Sequence, residues 1–291
     1  MSNFWQELKN KADKEKQPFF CLAPMADVTD PAFRLLIVKY GKPDVMWTEF
    51  VSANGLNSPG REALKRDLVF SESERPIVAQ LFSADPINME AAAKLCALLG
   101  FDGIDINMGC PDKTIEKQGS GAGMIKTPEI AREVISGAKR GVKASGRDIP
   151  ISVKTRVGYN LPIINEWIGM LLEQDISALT IHARTRKDLS KVPAKWEYLK
   201  EVVALRNKIA PSTVIIGNGD VVSLKDGKQK ALESGVDGVM VGRALFGNPW
   251  FFDSQRQVVA TLPKRAPWVL RKLPFIKKFF ETKRKAAVEI L

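Results

Sequence analysis

Eight short apolar segments alternate with helical patterns along most of this chain. The segments lie at residues 19–23, 45–48, 77–82, 103–107, 151–155, 178–182, 213–217 and 238–241. Apolar strands joined by helices predict a parallel sheet that those helices cover. Eight such units within about 250 residues have the size of a (β/α)₈ TIM barrel, which is the α/β fold that we predict. The alternative is an open doubly wound sheet, which usually has fewer strands.

The helical patterns lie at residues 86–99, 128–143, 162–173, 196–209 and 223–234, with a short helix near 61–64. Thr127 and Pro128 are the residue types preferred at an N-cap and at the first helical position. We divide the chain into an N-terminal extension (1–18), a barrel domain (19–252) and a short, basic, helical C-terminal segment (253–291), in which residues 277–290 have an amphipathic pattern. The chain has neither a G-x-G-x-x-G motif that opens a helix nor a P-loop motif, so neither of those nucleotide-binding folds is supported.

The chain is basic, with a net charge of +11, and the excess is concentrated near its end. Residues 264–291 hold nine lysines and arginines against two glutamates. This distribution favours a polyanionic partner, with nucleic acid first, although a solvated lysine-rich surface is the simpler alternative.

The apolar and cysteine patterns limit where the protein works. No apolar run approaches the roughly 20 residues of a membrane helix, and the polar N-terminus is no signal peptide. The three cysteines, Cys21, Cys96 and Cys110, have no zinc-site spacing. We therefore expect reduced thiols, a cytoplasmic location, no metal and no membrane partner. We also expect a monomer.

Polar side chains recur at the carboxyl ends of the predicted strands, where barrel enzymes place their chemistry. In strand order they are Pro24 and Met25; Gln80; Asn107 and Cys110; Lys154 and Arg156; His182, Arg184 and Arg186; Asn218, Gly219 and Asp220; and Gly242 and Arg243. Because these ends meet at one mouth of a barrel, we expect the side chains to face a common site.

Three of these positions suggest specific chemistry. Cys110 ends a buried strand between Gly109 and Pro111, which favour a bend that presents the thiol. Lys154 follows apolar neighbours and needs an anionic or electron-rich partner in a barrel mouth. His182 is the only histidine, and it also lies at a strand end.

The last two loops predict a phosphate site. Gly217, Gly219 and Gly242 allow close backbone approach, helices are predicted just after them, and Arg243 adds a bidentate donor. Barrel enzymes often bind phosphate in these two loops. The alternative is ordinary turn glycines beside a solvated arginine.

Together these segments resemble the tRNA-dihydrouridine synthases, flavin-dependent enzymes that reduce uridine in tRNA. The matching segments are residues 23–34, 80–82, 102–111, 119–123, 153–156, 181–186, 217–220 and 241–243, in the family's order. The Asn-x-Gly-Cys-Pro element with its downstream glycines is highly specific, and the His-x-Arg-x-Arg element is the next most specific mark.

The resemblance implies FMN in the barrel mouth, NADPH (or NADH) as a transient reductant, and a uridine flipped out of tRNA. It also implies a role for each matched residue. Cys110 would be the general acid; Lys154 and His182 would contact the flavin or its phosphate, and Gln80 the isoalloxazine edge; Gly217, Asn218, Gly219, Gly242 and Arg243 would hold the phosphate; Pro24, Met25 and Asp220 would complete the cofactor site; and Asn107, Arg184 and Arg186 would bind the substrate. A thiolate nucleophile is the alternative role for the cysteine.

Two features depart from the family pattern. Members usually carry a helical domain after the barrel, whereas only about 40 residues follow Trp250 here. The 187–195 loop has lysines and Pro193 where many members have glycine. Two other functions stay open at the level of sequence. One is an FMN oxidoreductase of a free pyrimidine, like dihydroorotate or dihydropyrimidine dehydrogenases, and the other is a tRNA-folding protein without required catalysis.

Overall fold

The structure is a computed structural model that describes residues 3–254. Its strands are β1 Phe19–Leu22, β2 Met46–Ser52, β3 Ile77–Phe82, β4 Gly103–Met108, β5 Ile151–Arg156, β6 Ala178–His182, β7 Val214–Asn218 and β8 Gly238–Val241. Its α-helices, within the described range, are α1 Phe4–Glu15, α2 Pro31–Gly41, α3 Ala53–Leu56, α4 Arg61–Lys65, α5 Pro86–Leu98, α6 Lys113–Lys117, α7 Pro128–Ala144, α8 Gly169–Leu172, α9 Glu197–Ile209 and α10 Leu224–Ser234.

The strands form one parallel sheet in the order β1-β8-β7-β6-β5-β4-β3-β2. A parallel bridge between Cys21 and Val45 joins its two ends, so that the sheet closes into a barrel. The predicted (β/α)₈ barrel is confirmed, and the open doubly wound alternative is wrong. Between Trp47 and Phe50 the register of β2 shifts against β3, and this strand extends beyond its predicted end at residue 48.

Side chains alternate between two cores, as the period of a strand requires. One face of each strand packs against the helices; on β4 the outward residues are Ile104, Ile106 and Met108. The other face fills the barrel interior. Near the amino ends of the strands the interior is apolar and includes Phe19, Trp47, Ala178, Val214 and Ile216.

Helix α1 closes the bottom of the barrel. The side chain of Asn3 caps this helix by accepting hydrogen bonds from the amides of Trp5 (3.0 Å) and Gln6 (3.3 Å). Trp5 is fully buried, and its ring centroid lies 6.2 Å from that of Phe19 and 5.6 Å from that of Trp47. The N-terminal extension therefore contributes to the core that supports the strands.

Some local predictions are wrong. Residues 162–173 are not one α-helix, because a π-helical turn at Ile164–Ile168 precedes the short α8. Thr127 occupies the N-cap of α7 but makes no side-chain capping hydrogen bond. A single 3₁₀ turn, Arg243–Leu245, follows β8 where a helix was expected.

Two further findings concern the whole chain. In residues 3–254 no helix is both long enough and apolar enough to pass through a bilayer. The basic segment and its amphipathic helix at 277–290 lie outside the described residues, so the division of the chain at 18 and 252 stays a prediction.

Candidate active site

A cleft of about 220 Å³ opens at the carboxyl ends of β1, β5, β6, β7 and β8. Most of the residues predicted to bind a cofactor meet in its wall: Pro24, Met25, Lys154, His182, Asn218, Gly219, Asp220, Gly242 and Arg243. They come from five different strand ends, which explains why residues far apart in sequence share one cleft.

Two residues predicted for the same site lie elsewhere. Gly217 faces outward from β7, where a Cβ would come within 2.4 Å of the Trp196 ring. The absent side chain at this position makes room for Trp196, whose indole donates to the carbonyl of Gly219 (2.8 Å). Gln80 is fully buried in the barrel and does not reach the cleft wall.

Lys154 brings a charge into the cleft without a protein partner. It faces inward from β5, and within residues 3–254 its ammonium group forms no hydrogen bond or ion pair, although the buried Asp105 carboxylate acts on it electrostatically. Burial, together with the neighbouring charge of Arg156, lowers the pKa of Lys154 to about 8. A lysine in this state is stabilised by any anion that enters the cleft.

His182 stands in the cleft wall as a neutral imidazole. Burial, reinforced by the surrounding charges of Arg156, Lys154, Arg184 and Arg243, lowers its pKa well below the usual value of 6.5. The guanidinium of Arg184 lies 3.0 Å from Nε2. Because arginine only donates, Nε2 accepts and the ring proton belongs on Nδ1.

Asp220 joins the last three strand ends. One of its carboxylate oxygens accepts from Arg243 (2.8 Å), and the other accepts from Arg184 and from the Ala194 amide (2.9 Å). Burial alone would raise the pKa of Asp220, but the hydrogen bonds from Arg184 and Ala194 and the two arginine charges lower it. Its backbone has φ of +49°, a left-handed conformation that is uncommon outside glycine. The carboxylate thus orients the arginines of the cleft.

The two arginines of the His-x-Arg-x-Arg element are engaged within the protein. Besides Asp220, Arg184 donates to the carbonyl of Val192 (2.7 Å), so it anchors the 187–195 loop. Arg186 forms a bidentate pair with Glu116 of α6 and lies over the ring of Tyr159 at 5.4 Å. The structure therefore shows both side chains connecting loops around the mouth.

Cys110 follows β4 in a loop that is fixed by its backbone. The Cys110 amide donates to Oδ1 of Asn107 (2.9 Å), and the Cys110 carbonyl accepts from Ala122 (2.9 Å). Arg156 donates to the carbonyl of the preceding Gly109 (2.8 Å). The thiol is half-buried, lies outside the lining of the cleft and is close enough to Lys154 to be affected by its charge.

Burial raises the pKa of the Cys110 thiol, and the Asp112 amide and the charges of Arg156 and Lys154 only partly oppose this effect. The thiol is therefore protonated near neutral pH. This state favours a proton donor over a thiolate nucleophile.

Asn107 uses both ends of its amide within the protein. Its oxygen accepts from the Gly109 and Cys110 amides, and its nitrogen donates to Gln80 (3.2 Å). The side chain shapes the cysteine loop.

Three further residues have no role in the predicted site. Arg156 is among the polar residues at the strand ends, but no role is predicted for it. Asp105 lies two residues before Asn107, and the period of a strand places both on one face. Glu49, near the end of β2, accepts from the Asp27 amide (2.7 Å). Burial raises the pKa of Glu49 to about 7. The hydrogen bond from the Asp27 amide opposes this effect, whereas the nearby carboxylates of Asp67, Asp27 and Asp30 add to it.

The fold and the cleft define a class of protein: a (β/α)₈ barrel with a cationic cleft and a protonated thiol at the carboxyl ends of its strands. The dihydrouridine synthase (Dus) family matches residues 21–288. A probable tRNA-dihydrouridine synthase 2 of Bacillus subtilis is 42% identical over 255 residues, which cover 87% of this chain and 74% of that protein. The chain belongs to the dihydrouridine synthase family.

Solved structures agree at the level of the fold. A 2-naphthoyl-CoA reductase has a TM-score of 0.59 at 10% identity over 81% of this chain and 49% of its own. A DHODH from Eimeria tenella has a TM-score of 0.56 at 12% identity over 79% of this chain and 77% of its own. At these identities the likeness concerns the barrel alone.

Proposed function

We propose that this protein reduces uridine in tRNA to 5,6-dihydrouridine, with FMN as the bound cofactor and NADPH (or NADH) as the reductant. Family membership and the relatives named tRNA-dihydrouridine synthases support the reaction. The observation that carries the proposal is the unpartnered Lys154 in a cleft beside the protonated Cys110. One group is suited to bind an anionic cofactor and the other to supply a proton.

The residues of the cleft fit a flavin phosphate and ring. Arg243 and the backbone at Gly219 and Gly242 would hold the phosphate, since Arg243 has donors left after its bond to Asp220. Lys154 would stabilise negative charge on the flavin, and the neutral His182 would offer its Nδ1–H. Met25 adds an apolar contact to the wall.

FMN, once bound and reduced by NADPH (or NADH), would supply a hydride to C6 of the uracil ring. Negative charge would then develop at C5, and Cys110 would donate its proton there, so that one hydride and one proton saturate the C5–C6 bond. The raised pKa of the thiol keeps this proton in place until charge develops. A positioned general acid is worth roughly 10²–10⁴-fold in rate.

The substrate-binding roles predicted for Asn107, Arg184 and Arg186 are revised in this proposal. Their polar groups hold the loops that follow β4 and β6. We propose that these three side chains hold the mouth in shape. The uridine would then be contacted by other groups of the same loops.

We further propose that tRNA is the polyanion indicated by the net charge of +11. The segments that follow β4 and β6 carry exposed lysines at 113, 117, 126, 187, 191 and 195. Removing a base from its stack requires a few kcal/mol, and least where the base is already looped out. Single-stranded loop uridines are therefore the expected targets.

The test is reduction of unmodified transcribed tRNA by the purified chain with FMN and NADPH, followed by mass spectrometry of the nucleosides. We expect uridine to gain two hydrogens at defined positions, while free uridine and orotate are unchanged. Reduction of the free pyrimidines instead of tRNA would establish the other oxidoreductase function. Binding of tRNA without reduction, by a protein that takes up no flavin, would establish the folding role.

A further inference from the structure

A chain of hydrogen bonds runs from a buried carboxylate to the backbone of the cysteine loop. Asp105 is fully buried on the inner face of β4. One of its oxygens accepts from the Ser152 hydroxyl (2.6 Å), and the other accepts from the amide nitrogen of Gln80 (2.6 Å). The amide oxygen of Gln80 accepts from the amide nitrogen of Asn107 (3.2 Å).

This series of hydrogen bonds ends at the backbone of the cysteine loop. The amide oxygen of Asn107 accepts from the backbone N–H groups of Gly109 (3.1 Å) and Cys110 (2.9 Å). Both N–H groups can only donate, so they require an acceptor at this point. Asn107 supplies it only while its oxygen faces the loop.

The carboxylate of Asp105 determines which way each side-chain amide in this series of hydrogen bonds is turned. A side-chain amide has nearly the same shape when its oxygen and nitrogen exchange places, so shape alone selects no orientation. An ionised carboxylate only accepts, which turns the nitrogen of Gln80 toward Asp105 and its oxygen toward Asn107. The same logic then turns the nitrogen of Asn107 toward Gln80 and its oxygen toward the loop.

We propose that Asp105 is a positioning residue for Cys110, which acts by fixing the orientation of the Gln80 and Asn107 amides and thereby the backbone of the loop that presents the thiol. The proposal rests on the proposed function for the role of the thiol. The positioning role itself depends only on the residues that form this series of hydrogen bonds.

Asp105 is ionised under working conditions. Burial raises its pKa to about 6, although the hydrogen bonds from Ser152 and Gln80 and the charge of Lys154 act in the opposite direction. The carboxylate is therefore an obligate acceptor at neutral pH and above.

Two other contacts of the loop are independent of Asp105. The Cys110 carbonyl accepts from Ala122, and the Gly109 carbonyl accepts from Arg156. Loss of the carboxylate should therefore loosen the thiol while these contacts keep the loop folded.

The test is Asp105→Asn in the full chain, which keeps the shape and removes the obligate acceptor. The new amide can turn either its NH₂ group or its oxygen toward Gln80, so the orientation of Gln80 and then of Asn107 is no longer fixed. We expect alkylation of Cys110 by iodoacetamide to accelerate several-fold. We also expect single-turnover uridine reduction to slow by about tenfold, with the KM for tRNA and the flavin affinity near wild type, because about one to two hydrogen bonds at the loop are lost.

Ser152→Ala is the matched control. It removes a hydrogen bond to the same carboxylate, and in assays well above the pKa of Asp105 it leaves that carboxylate ionised as the acceptor for Gln80, so the alkylation rate should stay within about twofold of wild type. Cys110→Ala gives the background from the two buried cysteines, Cys21 and Cys96.

A double variant tests direction itself. Asp105→Asn combined with Gln80→Glu moves the carboxylate from position 105 to position 80. This change restores an obligate acceptor for Asn107 and leaves the total charge unchanged. It should return Cys110 alkylation toward the wild-type rate. Because Gln80 was predicted to face the cofactor, this variant is judged by alkylation alone.

The outcomes separate the two proposals. Equal alkylation rates in Asp105→Asn and wild type, or no reversal in the double variant, overturn the positioning role. If Asp105→Asn does not fold, Asn107→Ala breaks the last link instead, and a wild-type alkylation rate in that variant overturns the proposal equally. Alkylation that follows the predicted pattern in a protein unable to reduce uridine would reject the proposed function and leave the positioning role standing.

Discussion

At the amino ends of the strands the barrel interior is filled by Trp5, Phe19 and Trp47, whereas at the carboxyl ends the inward side chains include Lys154 and His182. Both sets belong to the same strands or to the helix beneath them. The bottom is apolar and closed, and the top is charged and open. The apolar residues that stabilise the barrel therefore lie at one end of its axis, and the polar residues of the candidate site lie at the other.

The difference extends to how polar groups are partnered. Deep in the barrel Asp105 has protein partners for both of its oxygens. At the open end the ammonium of Lys154 has none among the described residues. Burying a charge without a partner is unfavourable, which is why the proposed function places an anionic cofactor beside Lys154.

The largest expected effect is at the top of the barrel. Cys110→Ala should slow uridine reduction by about 10²–10⁴-fold, because the proposed proton donor for C5 is lost. Flavin content and NADPH oxidation should remain, since the thiol lies outside the cleft wall. Cys96→Ala, at a buried cysteine of α5, is the control for loss of a thiol. Full uridine reduction by Cys110→Ala in a single-turnover assay would contradict the assigned role.

The next effect is at the bottom. Trp5→Ala should lower the free energy of unfolding by about 3–5 kcal/mol, because it leaves a cavity beneath the strands. The remaining folded protein should keep its turnover rate per bound flavin. Urea denaturation followed by tryptophan fluorescence and circular dichroism measures the change.

Trp5→Phe is the matched control for that experiment. It keeps an aromatic ring and removes an indole N–H that has no hydrogen-bond partner within the described residues. Its loss of stability should therefore be clearly smaller than that of the alanine variant. Equal losses in the two variants would show that α1 does not act by filling the barrel.

The contrast between the two ends was partly predictable from sequence. Strand period and the parallel arrangement place Lys154, His182, Asn218 and Arg243 at one mouth without knowledge of any distance. Helix α1 was not predicted because its residues are mostly polar, and its main apolar contact depends on Trp5 entering the barrel. Such a contact is decided by the tertiary fold.

The partners of the site residues were less predictable than their positions. Arg184 pairs with Asp220 and Arg186 pairs with Glu116, at sequence separations of 36 and 70 residues. No local pattern distinguishes these pairs from arginines that are free to bind RNA. Gly217 shows the same limit, since it was predicted to hold a phosphate and only the packed structure supplies Trp196 against its outward face.

A smaller effect is expected when the charge in the cleft is removed. Lys154→Met keeps much of the length of the side chain and should weaken FMN binding by roughly 10–100-fold, the scale of one charge-assisted contact. Quenching of flavin fluorescence measures the affinity. Lys126→Met, at an exposed lysine outside the cleft wall, is the control and should bind FMN like wild type. Wild-type affinity in Lys154→Met would remove the lysine from the cofactor site.

The smallest effect is on two pH dependences of opposite sign. As pH rises, the affinity for FMN should fall, whereas the free energy of unfolding of the ligand-free protein should rise. Because the pKa of Lys154 is lowered from 10.5 to about 8, the folded protein loses this proton first as pH rises. FMN affinity should therefore fall above about pH 8, by at most about tenfold per pH unit, since one proton is involved. In the ligand-free protein the unfolded chain binds more protons between about pH 8 and about pH 10.5, so this group makes the free energy of unfolding rise with pH over that range. Lys154→Met should abolish both trends, and a flavin affinity that is independent of pH in the wild-type protein would show that the ammonium does not face the cofactor.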